Sequence, residues 1–74
     1  MSALRAITEL QRRSRQPDSD NPDCSIRVYF GDIVTIGRLV SLDTVGGYVE
    51  ISRDDGGNVL IMLDHIQAVS PWQL

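Results

Sequence analysis

The side chains that could carry chemistry in this sequence are isolated from the partners that catalysis requires. His65 is the single histidine and Cys24 the single cysteine. Nucleophilic catalysis needs a hydroxyl or thiol with a base in reach, and neither a nucleophile elbow nor an oxyanion glycine pattern surrounds His65. Asp54-Asp55 is an adjacent carboxylate pair, but it lies in a glycine-rich turn that is typical of solvated loops. The sequence therefore predicts a protein that is not an enzyme.

Metal and cofactor sites are also not predicted. One cysteine and one histidine cannot supply the four ligands of a tetrahedral zinc site, and a lone cysteine excludes an internal disulfide. Asp18, Asp20 and Asp23 resemble the start of a calcium loop in composition. Pro22 stands where an oxygen ligand is needed, however, and the glycine and distal glutamate of such a loop are missing. We expect a solvated linker and no cofactor.

The charged residues are divided unevenly along the chain. All seven cations are arginines, so each one is a guanidinium suited to bidentate contacts with phosphate or carboxylate. Residues 1–16 carry a local charge of +3, whereas residues 17–23 and residues 24–74 each carry −3. The arginines of the first segment are Arg5, Arg12, Arg13 and Arg15. Such a segment either solvates the end of a helix or faces a polyanion, and both interpretations stay open.

The elements that position these residues change character after the linker. Apolar residues at helical spacing predict a helix over residues 3–15, with Ser2 placed to cap it and Pro17 after its end. The stripe consists of Ala3, Ala6, Ile7 and Leu10. We therefore divide the chain into a helix (1–16), an acidic, proline-containing linker (17–23) and a β domain (24–74).

The β domain shows the alternation of short antiparallel strands. Strands are predicted over residues 24–30, 33–42, 48–53, 59–63 and 66–70, with glycine-rich or polar turns between them. The segment 33–42 is apolar on both faces, which predicts a long strand, bent at Gly37, whose outer side is covered by the helix or by another subunit. One helix and five strands predict a mainly β fold, a five-stranded antiparallel SH3-like barrel.

Two stretches of the β domain resemble the motifs of the Sm-like family. The first is Gly31-Asp32-Ile33-Val34-Thr35-Ile36-Gly37-Arg38-Leu39-Val40-Ser41-Leu42-Asp43, followed by Gly46-Gly47-Tyr48-Val49-Glu50-Ile51. The second is Leu63-Asp64-His65-Ile66-Gln67-Ala68-Val69-Ser70-Pro71, which is similar to the bacterial Hfq branch in its order of His, small apolar residues, Val and Pro. A helix followed by five strands is also the Sm-like arrangement.

The resemblance implies a homo-oligomeric ring, a hexamer or heptamer, in which strand four of one subunit pairs with strand five of the next. It also implies single-stranded RNA binding through the helix face and the pore loops. The candidate RNA-binding residues are Arg5, Arg12, Arg13, Arg15, Asp43, Gly47, Tyr48, Asp64 and His65. The chain departs from the family pattern at Gly47, where an asparagine is common, and at Val45, where a stacking side chain is common.

Alternatives remain for the residues and for the function. Asp43 and His65 can each close a turn, and Tyr48 can pack across strands. The same fold can serve as an oligomeric protein-interaction scaffold without nucleic acid, or as a small DNA-associated barrel. A 74-residue domain has a marginal core, so self-association is expected in each case. No apolar run reaches the length of a membrane span, and we expect a cytoplasmic protein with no membrane contact.

Overall fold

The computed structural model describes residues 3–72 and has one helix and five strands. The elements are α1 (Ala3–Ser14), β1 (Ser25–Phe30), β2 (Ile33–Asp43), β3 (Tyr48–Arg53), β4 (Asn58–Met62), a 3-10 turn η1 (Leu63–His65) and β5 (Ala68–Pro71). The predicted mainly β fold with an N-terminal helix is confirmed. The expected cap at Ser2 lies outside the described residues.

All strand pairs are antiparallel, and the sheet order is β4-β3-β2-β1-β5. The order follows from β2, which has 11 residues and pairs with β1 along its first half and with β3 along its second. Within residues 3–72 the sheet is open, because β4 and β5 form its two edges and do not pair with each other. The strands of the predicted barrel are present, but hydrogen bonds between β4 and β5 do not close the barrel in the single chain.

The core lies between the inner face of the sheet and α1. Its fully buried side chains are Ile7, Ile26, Val28, Val49 and Ile51. Ile7 comes from the apolar stripe predicted for the helix, and α1 packs on β5 and η1. Burial of each such side chain contributes about 1.5–3 kcal/mol, so the helix is part of the folded unit.

The outer face of β2 is not covered in the single chain. Thr35 and Leu39 are buried on the inner face, whereas Val34 and Val40 on the outer face are 50% and 49% exposed. Ile33, at the start of the strand on the same face as Thr35, is 57% exposed. The expectation that the helix covers this face is therefore wrong, and cover by another subunit stays a prediction. The physical reason is the position of α1, which directs its apolar stripe into the inner core and leaves the outer face of β2 open.

The acidic linker is tied to the start of β1 by one asparagine. The Asn21 side chain donates to the Ser25 carbonyl at 2.7 Å and accepts from the Ser25 amide at 3.0 Å. The Asn21 carbonyl accepts from the Cys24 amide at 3.0 Å, and Cys24 adopts a positive φ of 53° between them. These contacts fix the direction in which the chain enters the sheet.

Gly37 permits a close approach between β2 and β3. It lies opposite both Ile26 and Arg53, and a Cβ at this position would overlap the Ser52 carbonyl and lie 2.8 Å from Ile51 Cγ2. The register shift between β2 and β3 falls between Leu39 and Ser41. The irregularity in β2 therefore lies further along the strand than the bend expected at Gly37. Glycine is required at position 37 because the Ser52 carbonyl leaves no room for a side chain.

Gly37→Ala should lower the free energy of unfolding by about 1–3 kcal/mol, because the added methyl group forces β2 and β3 apart. Urea unfolding followed by circular dichroism measures this change. Ser41→Ala, at an exposed position of the same strand, should stay within about 0.5 kcal/mol. Equal effects of the two substitutions would contradict the close approach.

Candidate nucleic-acid interface

Two loops meet at one end of the sheet. The first is the loop of residues 43–48 between β2 and β3, and the second is η1; we call them together the pore loops. The Leu63 amide donates to the Gly47 carbonyl at 2.9 Å and joins them directly. In the strand register, Tyr48 lies opposite Asp43 on one side and Met62 on the other. The structure therefore brings together the two loops that hold the predicted residues Asp43, Gly47, Tyr48, Asp64 and His65.

Asp43 organises the first loop. Its Oδ1 accepts a hydrogen bond from the Gly46 amide at 2.7 Å, and its carbonyl accepts one from the Gly47 amide at 2.9 Å. The Gly46 amide, followed by the Tyr48 hydroxyl, holds the pKa of Asp43 below its ordinary value, and Asp43 raises the pKa of Tyr48. Gly47 has φ +76°, which favours glycine. Asp43, Gly47 and Tyr48 thus have local structural roles in the turn.

The pore loops also carry side chains that are open to solvent. Val45 is 98% exposed at the tip of the first loop. Asp64 and His65 are exposed on η1, and neither side chain makes a hydrogen bond or ion pair to the described part of the chain. Among the predicted loop residues, Asp64 and His65 are therefore the ones that a ligand could reach without displacing an internal contact.

The helix arginines form a second exposed group. Arg12 and Arg13 both contact the Glu9 carboxylate, the former in a close ion pair and the latter through Nε at 3.3 Å. The hydrogen bond from Arg12 is the main reason that the pKa of Glu9 lies below its ordinary value. Surface pairs of this kind are weak, because water screens them. Arg5 and Arg15 are also exposed, so all four predicted arginines lie on the surface.

The arginine-rich end of α1 and the pore loops lie at different ends of β5. Arg13 and Ser14 line a cleft with Pro71, the last residue of β5, whereas η1 precedes the first residue of that strand. A single chain therefore does not combine Arg12, Arg13 and Arg15 with His65 in one site. Sequence spacing could not reveal this separation, because it depends on the direction in which α1 crosses the sheet.

This arrangement defines the protein as a small, mainly β chain with a helix packed on an open, five-stranded antiparallel sheet. No protein-family model, curated protein or solved structure matches it. Within residues 3–72, no three or more His, Cys, Asp or Glu side chains are grouped so that they could hold a metal ion. No helix in the same range is long and apolar enough to cross a membrane.

Asp43→Asn should make the stability less dependent on pH. The folded-state pKa of Asp43 is depressed, so its charged form stabilises the fold above the ordinary value of 3.8, and this contribution is lost as the pH falls through the folded-state pKa. Urea midpoints should therefore favour the wild type at neutral pH and converge as the pH falls through the folded-state pKa of Asp43. Asp64→Asn removes a carboxyl from the second pore loop as a control. An equal difference in urea midpoint between this control and the wild type would contradict a specific role for Asp43.

Proposed function

We propose that this chain assembles into an Sm-like ring and binds single-stranded RNA through its helix face and pore loops. The observation that carries the proposal is the sheet order β4-β3-β2-β1-β5, which leaves as free edges the two strands that pair between subunits in the family it resembles. The resemblance of the sequence motifs and this order of strands are independent features, and both support the same class of assembly.

The chemistry of the two edges favours pairing between copies. Edge strands of monomeric proteins are usually protected by charged residues, because their unpaired amides and carbonyls otherwise recruit another strand. Neither β4 (Asn58–Met62) nor β5 (Ala68–Pro71) contains a charged residue. On β4, Leu60 and Met62 are 60% and 46% exposed. Pairing of β4 with β5 of a neighbour would satisfy both edges and cover these side chains.

A ring also multiplies the positive charge of the helix. Each subunit contributes Arg5, Arg12, Arg13 and Arg15 on the surface of α1, so their repetition around a ring produces a collected field for a polyanion although the whole chain has a net charge of −3. Arginine also stacks on unpaired bases. The pore loops add an exposed histidine, His65, which can stack on a base.

A ring that serves as a protein scaffold without RNA is the second candidate. It is favoured by the state of the first pore loop, where the Asp43 carboxylate already accepts a hydrogen bond from the Gly46 amide and interacts with the Tyr48 hydroxyl. A base entering this loop would find few unsatisfied polar groups. In this alternative, the edge strands and the exposed apolar positions keep their role in assembly, and the arginines serve to solvate the helix end.

The double variant Leu60→Asp, Met62→Asp should reduce the native mass to that of a monomer, because pairing would then bury two carboxylates without partners. Light scattering after gel filtration measures the mass. Ile33→Asp, Val40→Asp is the matched control, since it places the same charges at exposed positions of the central strand β2. A wild-type chain that is already monomeric would overturn the ring.

Arg13→Gln, Arg15→Gln should weaken the binding of a uridine-rich or adenine-rich oligonucleotide at least about ten-fold and reduce the salt dependence of the affinity, because two guanidinium groups are lost per subunit. Fluorescence anisotropy at several salt concentrations provides both quantities. Arg38→Gln, Arg53→Gln makes the same charge change on exposed arginines of the sheet. Similar losses in both variants would contradict a role for the helix face, and a wild-type ring that binds no RNA would favour the scaffold.

A further inference from the structure

A groove lies at the end of β3 opposite the pore loops. It consists of two adjoining clefts of about 290 and 380 Å³ that share Ile36, Asp54 and Trp72. The first cleft reaches Asp20, Asn21 and Asp23 in the linker, and the second reaches Val34 and Arg53. None of the candidate RNA-binding residues lines either cleft. The groove therefore contains none of those residues, although Asp20 and Asn21 also line the neighbouring cleft of Arg13.

The apolar part of the groove is formed by Val34, Ile36 and Trp72. Val34 is 50% exposed, and Ile36 and Trp72 are partly exposed. The backbone amide of Trp72 donates to the Ser25 carbonyl at 2.9 Å, which fixes this residue beside the start of β1. The guanidinium of Arg27 already lies 4.2 Å from the centre of the Trp72 ring. The indole is thus held in place and is in an environment that accepts a guanidinium.

The walls of the groove carry an excess of negative charge. Asp20, Asp23, Asp54 and Asp55 line it together with one cation, Arg53, which pairs with Asp55 at 2.5 Å. The carboxylates of Asp20, Asp23 and Asp54 have no hydrogen bond or ion pair to other described residues. In that part of the chain the aspartates also do not converge closely enough to hold a metal ion. Negative charge spread along a groove fits a ligand with several separated cations.

We propose that this groove binds an extended peptide segment of a partner protein that carries arginine or lysine side chains. Long basic side chains have an apolar stem and a charged head, so the stem can lie on Val34, Ile36 and Trp72 while the head reaches Asp20, Asp23 or Asp54. Cleft volumes of about 300 Å³ are at the lower end of the range for ligand sites, which suits one or two side chains in each cleft. The same negative charge disfavours a nucleic acid here.

The test uses the full chain and a fluorescently labelled nonapeptide of alternating arginine and valine. Anisotropy should show binding that a peptide with glutamate in place of arginine does not show. Trp72 is the single tryptophan, so its emission should change when the peptide binds. Binding without a change in this emission would place the peptide elsewhere and overturn the proposal, as would the absence of binding.

The triple variant Asp20→Asn, Asp23→Asn, Asp54→Asn should weaken peptide binding at least about ten-fold, the equivalent of about 1.4 kcal/mol. Asp18→Asn, Asp32→Asn, Asp64→Asn removes the same charge from exposed positions outside the groove and should retain most of the affinity. Equal losses of peptide affinity in the two variants would indicate general electrostatic attraction and would overturn binding in the groove. Circular dichroism checks that both variants fold.

Two further readouts separate this proposal from others. If the triple variant, here called the groove variant, has a lower native mass than the wild type, the arginines of a second copy occupy the groove. That result would overturn the proposal that a partner's peptide binds there. RNA affinity of the groove variant should remain or rise, because no RNA candidate lines the groove and negative charge is removed. If the wild-type chain binds RNA but not the peptide, the peptide-binding proposal alone is rejected. If it binds the peptide but not RNA, the proposed RNA function alone is rejected.

Discussion

The pairing of β2 with two neighbours is the constraint on which the other features of this protein depend. Because β2 has 11 residues, its first half pairs with β1 and its second half with β3. Gly37 makes the close approach at the changeover possible, since any larger residue would meet the Ser52 carbonyl. Once these pairings are set, β4 and β5 can only be added at the outer edges. The sheet order, the free edges and the position of the pore loops all follow from this single strand.

The same constraint sets the positions of the candidate surfaces along the strands. The pore loops lie where β2 ends and β3 begins, whereas the groove lies where β3 ends, six residues later. The arginine-rich end of α1 is near the end of β5. The groove and this end of α1 are neighbours, because Asp20 and Asn21 line both the groove and the cleft that holds Arg13.

Charge balance explains why the overall net charge is a poor guide to partners. The net charge of −3 hides a basic segment of +3 before the linker and acidic segments after it. At physiological salt, exposed charges interact strongly only within about 10 Å, so the local balance matters more than the total. The internal pairs further divide the charged residues, because Glu9 contacts Arg12 and Arg13, and Asp55 contacts Arg53. Carboxylates without such a partner line the groove, and Asp20 among them also lines the neighbouring cleft of Arg13.

The sequence by itself determined the elements and their order, because helical and alternating periodicities are local properties. It predicted α1 and all five strands with ends within a few residues, the turn between the second and third strands and the apolar stripe that contains Ile7. It did not reveal the exposed outer face of β2, the register shift after Leu39, or the groove that joins Asp20 to Asp54. Only the tertiary structure decided these features, because they arise from contacts between residues that are distant in sequence. Nor could spacing show that Asp43 and Tyr48 lie opposite each other, since the turn that joins them forms only when β2 and β3 pair.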